Sequence, residues 1–120
     1  MRSIVFLFAL FTLFTCCTQK SETSKQPTEL QKILAQKPFL VDVRTPEEFS
    51  AGSVQGAVNI PLPEIENQIS QFQNKGAVVV FCRSGNRSGQ AKAILESKGI
   101  KNVTNGGPWQ DVEEARKTMK

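Results

Sequence analysis

The run AVVVF at residues 77–81 is apolar at every position, and three of its five residues are β-branched. A strand with one solvated face would alternate polar and apolar residues, so this one is covered on both faces. That is the situation of a central strand in a parallel sheet, whose neighbours are reached through long, usually helical crossovers. The rest of the chain supplies such pieces in alternation. FLVDV (39–43) is a second buried strand, and RTPEEFSAG follows it with helix punctuation. Thr45 stands at the N-cap, Pro46 at the first helical position, Glu48 three residues after the cap and Gly52 just past the end. Upstream, Thr28 caps a short helix whose Leu30, Ile33 and Leu34 share a face.

GAVNI (56–60) is a further short strand ended by Pro61, and Ile65, Ile69 and Phe72 form one stripe of a helix over 63–72. NKG then turns the chain into the central strand. A helix over 88–98 presents Ala91, Ile94 and Leu95, with KGI as a glycine stop followed by an apolar contact. KNVT (101–104) reads as the last strand, NGGP (105–108) as a turn and 109–118 as a closing helix. Strands alternating with helices at this spacing make a small α/β sandwich around a parallel sheet, with no internal repeat.

The 120 residues hold one such domain. Residues 1–16 are not part of it. Met1-Arg2 and the apolar run IVFLFALFTLF (4–14) have the form of an export leader, and eleven residues of helix span roughly 16 Å, about half a bilayer's hydrocarbon core. The exit LFTCCTQKSE places Cys16 and Cys17 where a bacterial lipoprotein signal carries its acylated thiol, which makes both lipidation candidates. Residues 17–27 are polar and aperiodic, a flexible tether ahead of a domain over 28–120. The expected location is outside the cytoplasm: periplasmic, with membrane attachment through the lipid anchor. Without Arg2, fourteen basic residues face eleven acidic ones, interspersed and without aromatic interleaving, so nucleic acid is not an expected partner.

Of three cysteines, Cys82 alone then lies in the domain. An exported chain ordinarily pairs its cysteines, so a single one favours chemical use over stapling. The chain has no histidine, which excludes Cys-His and Ser-His catalysis and histidine metal sites. Cys82 ends the central strand, where ligands of open parallel sheets bind. Ser84, Gly85, Asn86 and Ser88 tolerate the curvature that turns successive N–H groups inward to cradle an anion. Arg83 and Arg87 add charge and fork geometry for an oxyanion. Such surroundings lower a cysteine's pKa from about 8.5 to as little as ~3.5.

Three ordered blocks, VDVRTPEEFSAGSVQGAVNIP, VVVFCRSGNRSGQAKAIL and NVTNGGPWQDV, resemble the rhodanese (thiosulfate sulfurtransferase) family, in its small single-domain periplasmic type. The resemblance covers about residues 28–118. It implies a three-layer sandwich with a mostly parallel sheet and helices on both faces. It also implies a catalytic Cys82 that takes the outer sulfur of thiosulfate as a persulfide and releases sulfite. A thiol, cyanide or protein acceptor then removes the sulfur, and no cofactor or metal takes part. Arg83, Ser84, Gly85, Asn86 and Arg87 map to the substrate-binding loop. Asp42, Arg44 and Ser88 map to supporting positions, the first two as an ion pair tying strand to loop. Ser53 stands where the family often has a histidine, and Trp109 is expected as a core or rim aromatic.

Two alternatives share these features. A cysteine-dependent phosphatase or arsenate reductase uses a similar arrangement, but with five residues between Cys and Arg, whereas Cys82 and Arg87 enclose four. A tethered persulfide carrier, delivering sulfur to a partner protein, would use the same loop without free turnover.

Overall fold

The computed structural model describes residues 27–119. The expectations for the leader 1–16, for Cys16 and Cys17 and for nearly all of the tether fall outside these residues. In chain order the elements are α1 (Glu29–Leu34), β1 (Phe39–Asp42), α2 (Pro46–Ala51), β2 (Val58–Asn59) and a 3₁₀ helix (Leu62–Phe72). They continue with β3 (Val78–Cys82), α3 (Asn86–Ser97), β4 (Val103–Pro108) and α4 (Trp109–Lys117).

The four strands form one parallel sheet in the order β2-β1-β3-β4. β3 is central and every one of its residues is buried, as an all-apolar strand requires. Its period of two divides the core. Val78, Val80 and Cys82 join Val41, Ile65, Phe72, Ala91 and Leu95 beneath the 3₁₀ helix and α3. Val79 and Phe81 join Leu34, Val54 and Val112 beneath α1 and α4. Helices therefore cover both faces. Each fully buried Val, Ile, Leu or Phe contributes roughly 1.5–3 kcal/mol relative to exposure.

Both expected N-caps form, as complete capping boxes: Thr28 with Gln31 and Thr45 with Glu48. Several assignments differ from the sequence reading: the strand expected over 56–60 shortens to Val58–Asn59, and three differences bear on the site. The 63–72 segment is 3₁₀ rather than α, with a non-helical Gln68 inside it; Pro61 and Pro63 donate no N–H and no side chain caps its start. α3 begins at Asn86, two residues early, because Gly85 at φ +93° supplies a left-handed backbone cap without a side chain. NGGP is strand, not turn: β4 runs on to Pro108 with a register shift opposite Val80/Phe81. Asn105 pairs with Val80 and Gly107 with Phe81, so Gly106 is the extra residue of a bulge. Only glycine fits there, since a Cβ would lie 2.7 Å from Val112 Cγ2.

The sheet order reverses between β1 and β3. From β1 the chain moves outward to β2, and from β3 it moves the other way to β4. The loops leaving β1 and β3 therefore diverge around a crevice at the carboxyl edge of the sheet. The starts of α2 and α3 and the cysteine loop meet there.

Candidate active site

Cys82 is the last residue of β3 and is fully buried. Its sulfur receives the Gly85 amide at 3.0 Å and lies 3.3 Å from the Ser88 hydroxyl. The Ser84 and Ser88 amides add to the environment that favours a charged sulfur. Burial pushes the Cys82 thiol up, but the Ser88 hydroxyl and these amides outweigh it and hold the group below its ordinary value. The left-handed Gly85 makes this convergence possible. It also lets the loop press on β4, where a Cβ at Gly85 would meet Gly107 Cα at 3.3 Å. Four residues close the turn, and α3 starts beneath the sulfur with its N-terminal end toward it.

The other loop positions divide by what their side chains touch. Arg83 and Ser84 are exposed, and no acid pairs with Arg83 among the described residues. Asn86 turns its carbonyl to Gln90 in the next turn of α3, 2.9 Å away, so only its backbone serves the loop. Arg87 makes a two-pronged pair with Glu48 on α2 at 2.7 and 3.0 Å. Hydrogen bonding from Arg87 is the main cause that lowers the Glu48 carboxyl to about 2. Glu48 thus closes the capping box of α2 and fastens the start of α3, 39 residues away.

Asp42 and Arg44 form the expected ion pair, fully inside the protein. Arg44 donates to Asp42 through its backbone amide, Nε and Nη2, the last at 2.6 Å, and gives a further bond to the Gly52 carbonyl. Ser53 donates to Asp42 at 2.7 Å, so a serine satisfies this carboxylate without a histidine. Asn59 donates to the carbonyls of Asp42 and Arg44, and the Val43 amide bonds Phe81 beside the cysteine. The pair is scaffolding for the crevice. Trp109 is half-buried at its rim, 5.1 Å below the Arg44 guanidinium.

Two residues escaped the sequence reading. Capping alone accounts for Glu48 in the sequence, and nothing local announces its partner in α3. Asn105 was assigned to a turn, yet it accepts from Ser88 at 2.7 Å and from Gly107 N at 3.0 Å and donates to Gly85 O at 3.0 Å. A cavity of about 400 Å³ opens at the opposite, amino-terminal edge of the sheet between residues 72–76 and 98–102. It shares no residue with the cysteine loop.

The comparisons with known proteins agree with this geometry. Residues 26–107 match the model of the rhodanese-like domain. The chain is 42% identical over 74 residues to the thiosulfate sulfurtransferase PspE of Escherichia coli, covering 60% of this chain and 71% of that protein. Among solved structures it resembles a rhodanese with anions from E. coli, with a TM-score of 0.58 and 42% identity over 62% of this chain and 89% of the other. A human single-domain sulfurtransferase superposes with a TM-score of 0.60 and 32% identity, over 73% and 96% of the two chains. A parallel sheet with one cysteine under a ring of amides, matched along most of its length, places this chain in the rhodanese-like family of sulfurtransferases.

Proposed function

We propose that this sulfurtransferase moves a sulfane sulfur from thiosulfate, or a related anionic donor, to a thiophilic acceptor through a persulfide on Cys82. The observation that carries the reading is the Gly85 N–H aimed at the Cys82 sulfur from 3.0 Å, with the Ser88 hydroxyl 3.3 Å away. The Cys82 thiolate attacks the outer sulfur of thiosulfate. The S–S bond of the donor breaks and sulfite leaves with its electron pair. The new terminal sulfur is anionic, and the amides of residues 84, 85 and 88 stabilise that charge without a proton donor. A thiolate or cyanide then attacks the terminal sulfur, and Cys82 departs as the thiolate it was at the start.

Cys82 has no exposed surface, so the donor reaches its sulfur by a local opening around the loop, whose residues 83–84 are exposed. Among the described residues Arg83 has no acidic partner to leave, and it is the exposed cation that draws the anionic donor in. Arg87, held by Glu48, fixes the loop's far end and adds positive potential. Of the two alternatives, the phosphatase lacks support, since the four-residue spacing and the engaged Arg87 leave no free fork for a tetrahedral phosphate. The carrier keeps one observation in its favour: full burial of the sulfur suits delivery to a partner that opens the loop.

We further propose export by the leader 1–16, a tether over 17–27, a periplasmic domain over 28–120 and a lipid anchor at Cys16 or Cys17. Thiocyanate formation from thiosulfate and cyanide tests the turnover reading. Sustained catalysis abolished by Cys82→Ser is expected. One equivalent of sulfur taken up without turnover would instead favour the carrier, and hydrolysis of a phosphate ester would revive the phosphatase.

A further inference from the structure

We propose that Asn105 is a positioning residue that sets the ionisation of Cys82 by competing for the single proton of the Ser88 hydroxyl. The proposal deepens the reading of Cys82 as the sulfur-bearing residue and rests on it.

The bonds of Asn105 fix which way its amide points. Its Nδ2 faces the Gly85 carbonyl at 3.0 Å, which requires a donor. Its Oδ1 faces the Gly107 amide at 3.0 Å, which requires an acceptor. Exchanging the two would set donor against donor and acceptor against acceptor. The bulge at Gly106 is what turns Asn105 toward the loop rather than along the strand ladder. Since Oδ1 is an acceptor only, Ser88 at 2.7 Å must be giving its proton to it. A hydroxyl has one proton, so Ser88 offers Cys82 an oxygen lone pair across 3.3 Å.

With its proton on Asn105, the Ser88 hydroxyl suits a thiol, and the thiolate calls on that same proton. The S–H donates to Ser88, and Ser88 donates to Asn105, in a chain. When the S–H proton leaves to water, the sulfur can only accept. Ser88 then rotates its O–H onto the sulfur and gives up Asn105, whose Oδ1 keeps the Gly107 N–H. Ionisation therefore costs one short hydrogen bond that runs from the buried Ser88 to Asn105 at the surface of the loop. The ring of amides favours the thiolate, and Asn105 restrains it. Once the sulfur of Cys82 is bonded to a second sulfur and uncharged, the Ser88 proton returns to Asn105.

The test uses the full chain carrying Cys16→Ser and Cys17→Ser, so that Cys82 is its one thiol, and reads the pH dependence of alkylation by iodoacetamide. Asn105→Leu keeps the volume and removes both polar ends. It should move the apparent pKa down and speed alkylation about tenfold at pH below it, the effect of freeing one hydrogen bond to a charged group. Ser88→Ala should move the pKa up. Asn105→Leu added to Ser88→Ala should then change nothing. The charged groups around the loop, Arg83, Arg87, Asp42, Arg44 and Glu48, are the same in every variant compared. A rise in pKa from Asn105→Leu, equal in both backgrounds, would overturn the proposal and reduce Asn105 to a clamp on Gly85. Should Asn105→Leu fail to fold by circular dichroism, the infrared S–H band of the unsubstituted Ser88–Asn105 chain decides. A lowered, hydrogen-bonded frequency that Ser88→Ala raises is expected, and a free-thiol frequency would refute it. None of these readouts requires sulfur transfer, so loss of the persulfide reading would show separately.

Discussion

Replacing Asp42 by Ala should be among the most damaging single changes in the domain. The carboxylate is fully buried and accepts from the Arg44 amide, its Nε and Nη2, and the Ser53 hydroxyl. Removing it leaves the Arg44 guanidinium, itself only 6% exposed, with the Gly52 carbonyl as its remaining hydrogen-bond acceptor. Breaking one side of such a buried pair costs about 3–5 kcal/mol, because an uncompensated charge stays inside. A domain of this size has roughly 5–14 kcal/mol in total, so Asp42→Ala removes from about a fifth of it to nearly all. Urea unfolding followed by fluorescence of the single tryptophan, Trp109, reads this directly. With a slope of roughly 1–3 kcal/mol per molar, the midpoint should fall by about 1–5 M. The double variant Asp42→Leu, Arg44→Met buries no charge and should recover most of the loss. A cost below about 1 kcal/mol for Asp42→Ala, or a double variant no better than the single, would refute the account of this pair.

Other outcomes follow from the same geometry. Glu48 has its folded pKa depressed to about 2, so its contribution is whole above the ordinary carboxylate value of 4.5 and is lost as pH falls through 2. Glu48→Gln should therefore flatten the stability–pH curve in that window, and a curve unchanged by the substitution would contradict the Arg87 pairing. Gly106→Ala pushes a Cβ to 2.7 Å from Val112 Cγ2 and 3.0 Å from Val79 Cγ1 and should cost about 1–3 kcal/mol by thermal melting; an unchanged midpoint would put the bulge elsewhere. Arg83→Ala, at an exposed cation, should raise KM for thiosulfate about two- to fivefold with kcat held, and added salt should erase the difference. A kcat loss instead would mean that Arg83 acts on the transferred sulfur.

Much of this could be read from residue order because the signals are local. The all-apolar 77–81 run demanded cover on both faces, and the Thr45-Pro46-Glu48 spacing marked the start of α2. The cysteine followed by Arg, Ser and Gly marked the loop, and its amides do turn on the sulfur. The features that local signals do not reveal depend on distant partners. NGGP has the composition of a turn, and only its pairing with Val80, Phe81 and Cys82 of β3 makes it strand, while Val79 and Val112 explain the glycine at 106. Ile65, Ile69 and Phe72 are three and four residues apart, a stripe that serves a 3₁₀ or an α-helix alike. Glu48 satisfied a local rule so completely that its bond to Arg87 left no trace in the sequence. Asn105 lies 17 residues from the Ser88 it engages, across a whole crossover helix.

The central claim is that Cys82 holds the sulfur in transit. Mass spectrometry of the purified protein after thiosulfate treatment tests it most directly. The expected result is a gain of one sulfur atom on the peptide containing Cys82, removed by cyanide and absent from Cys82→Ser. A protein that transfers sulfur with Cys82 unmodified, or one in which Cys82→Ser still acquires the added sulfur, would contradict the account.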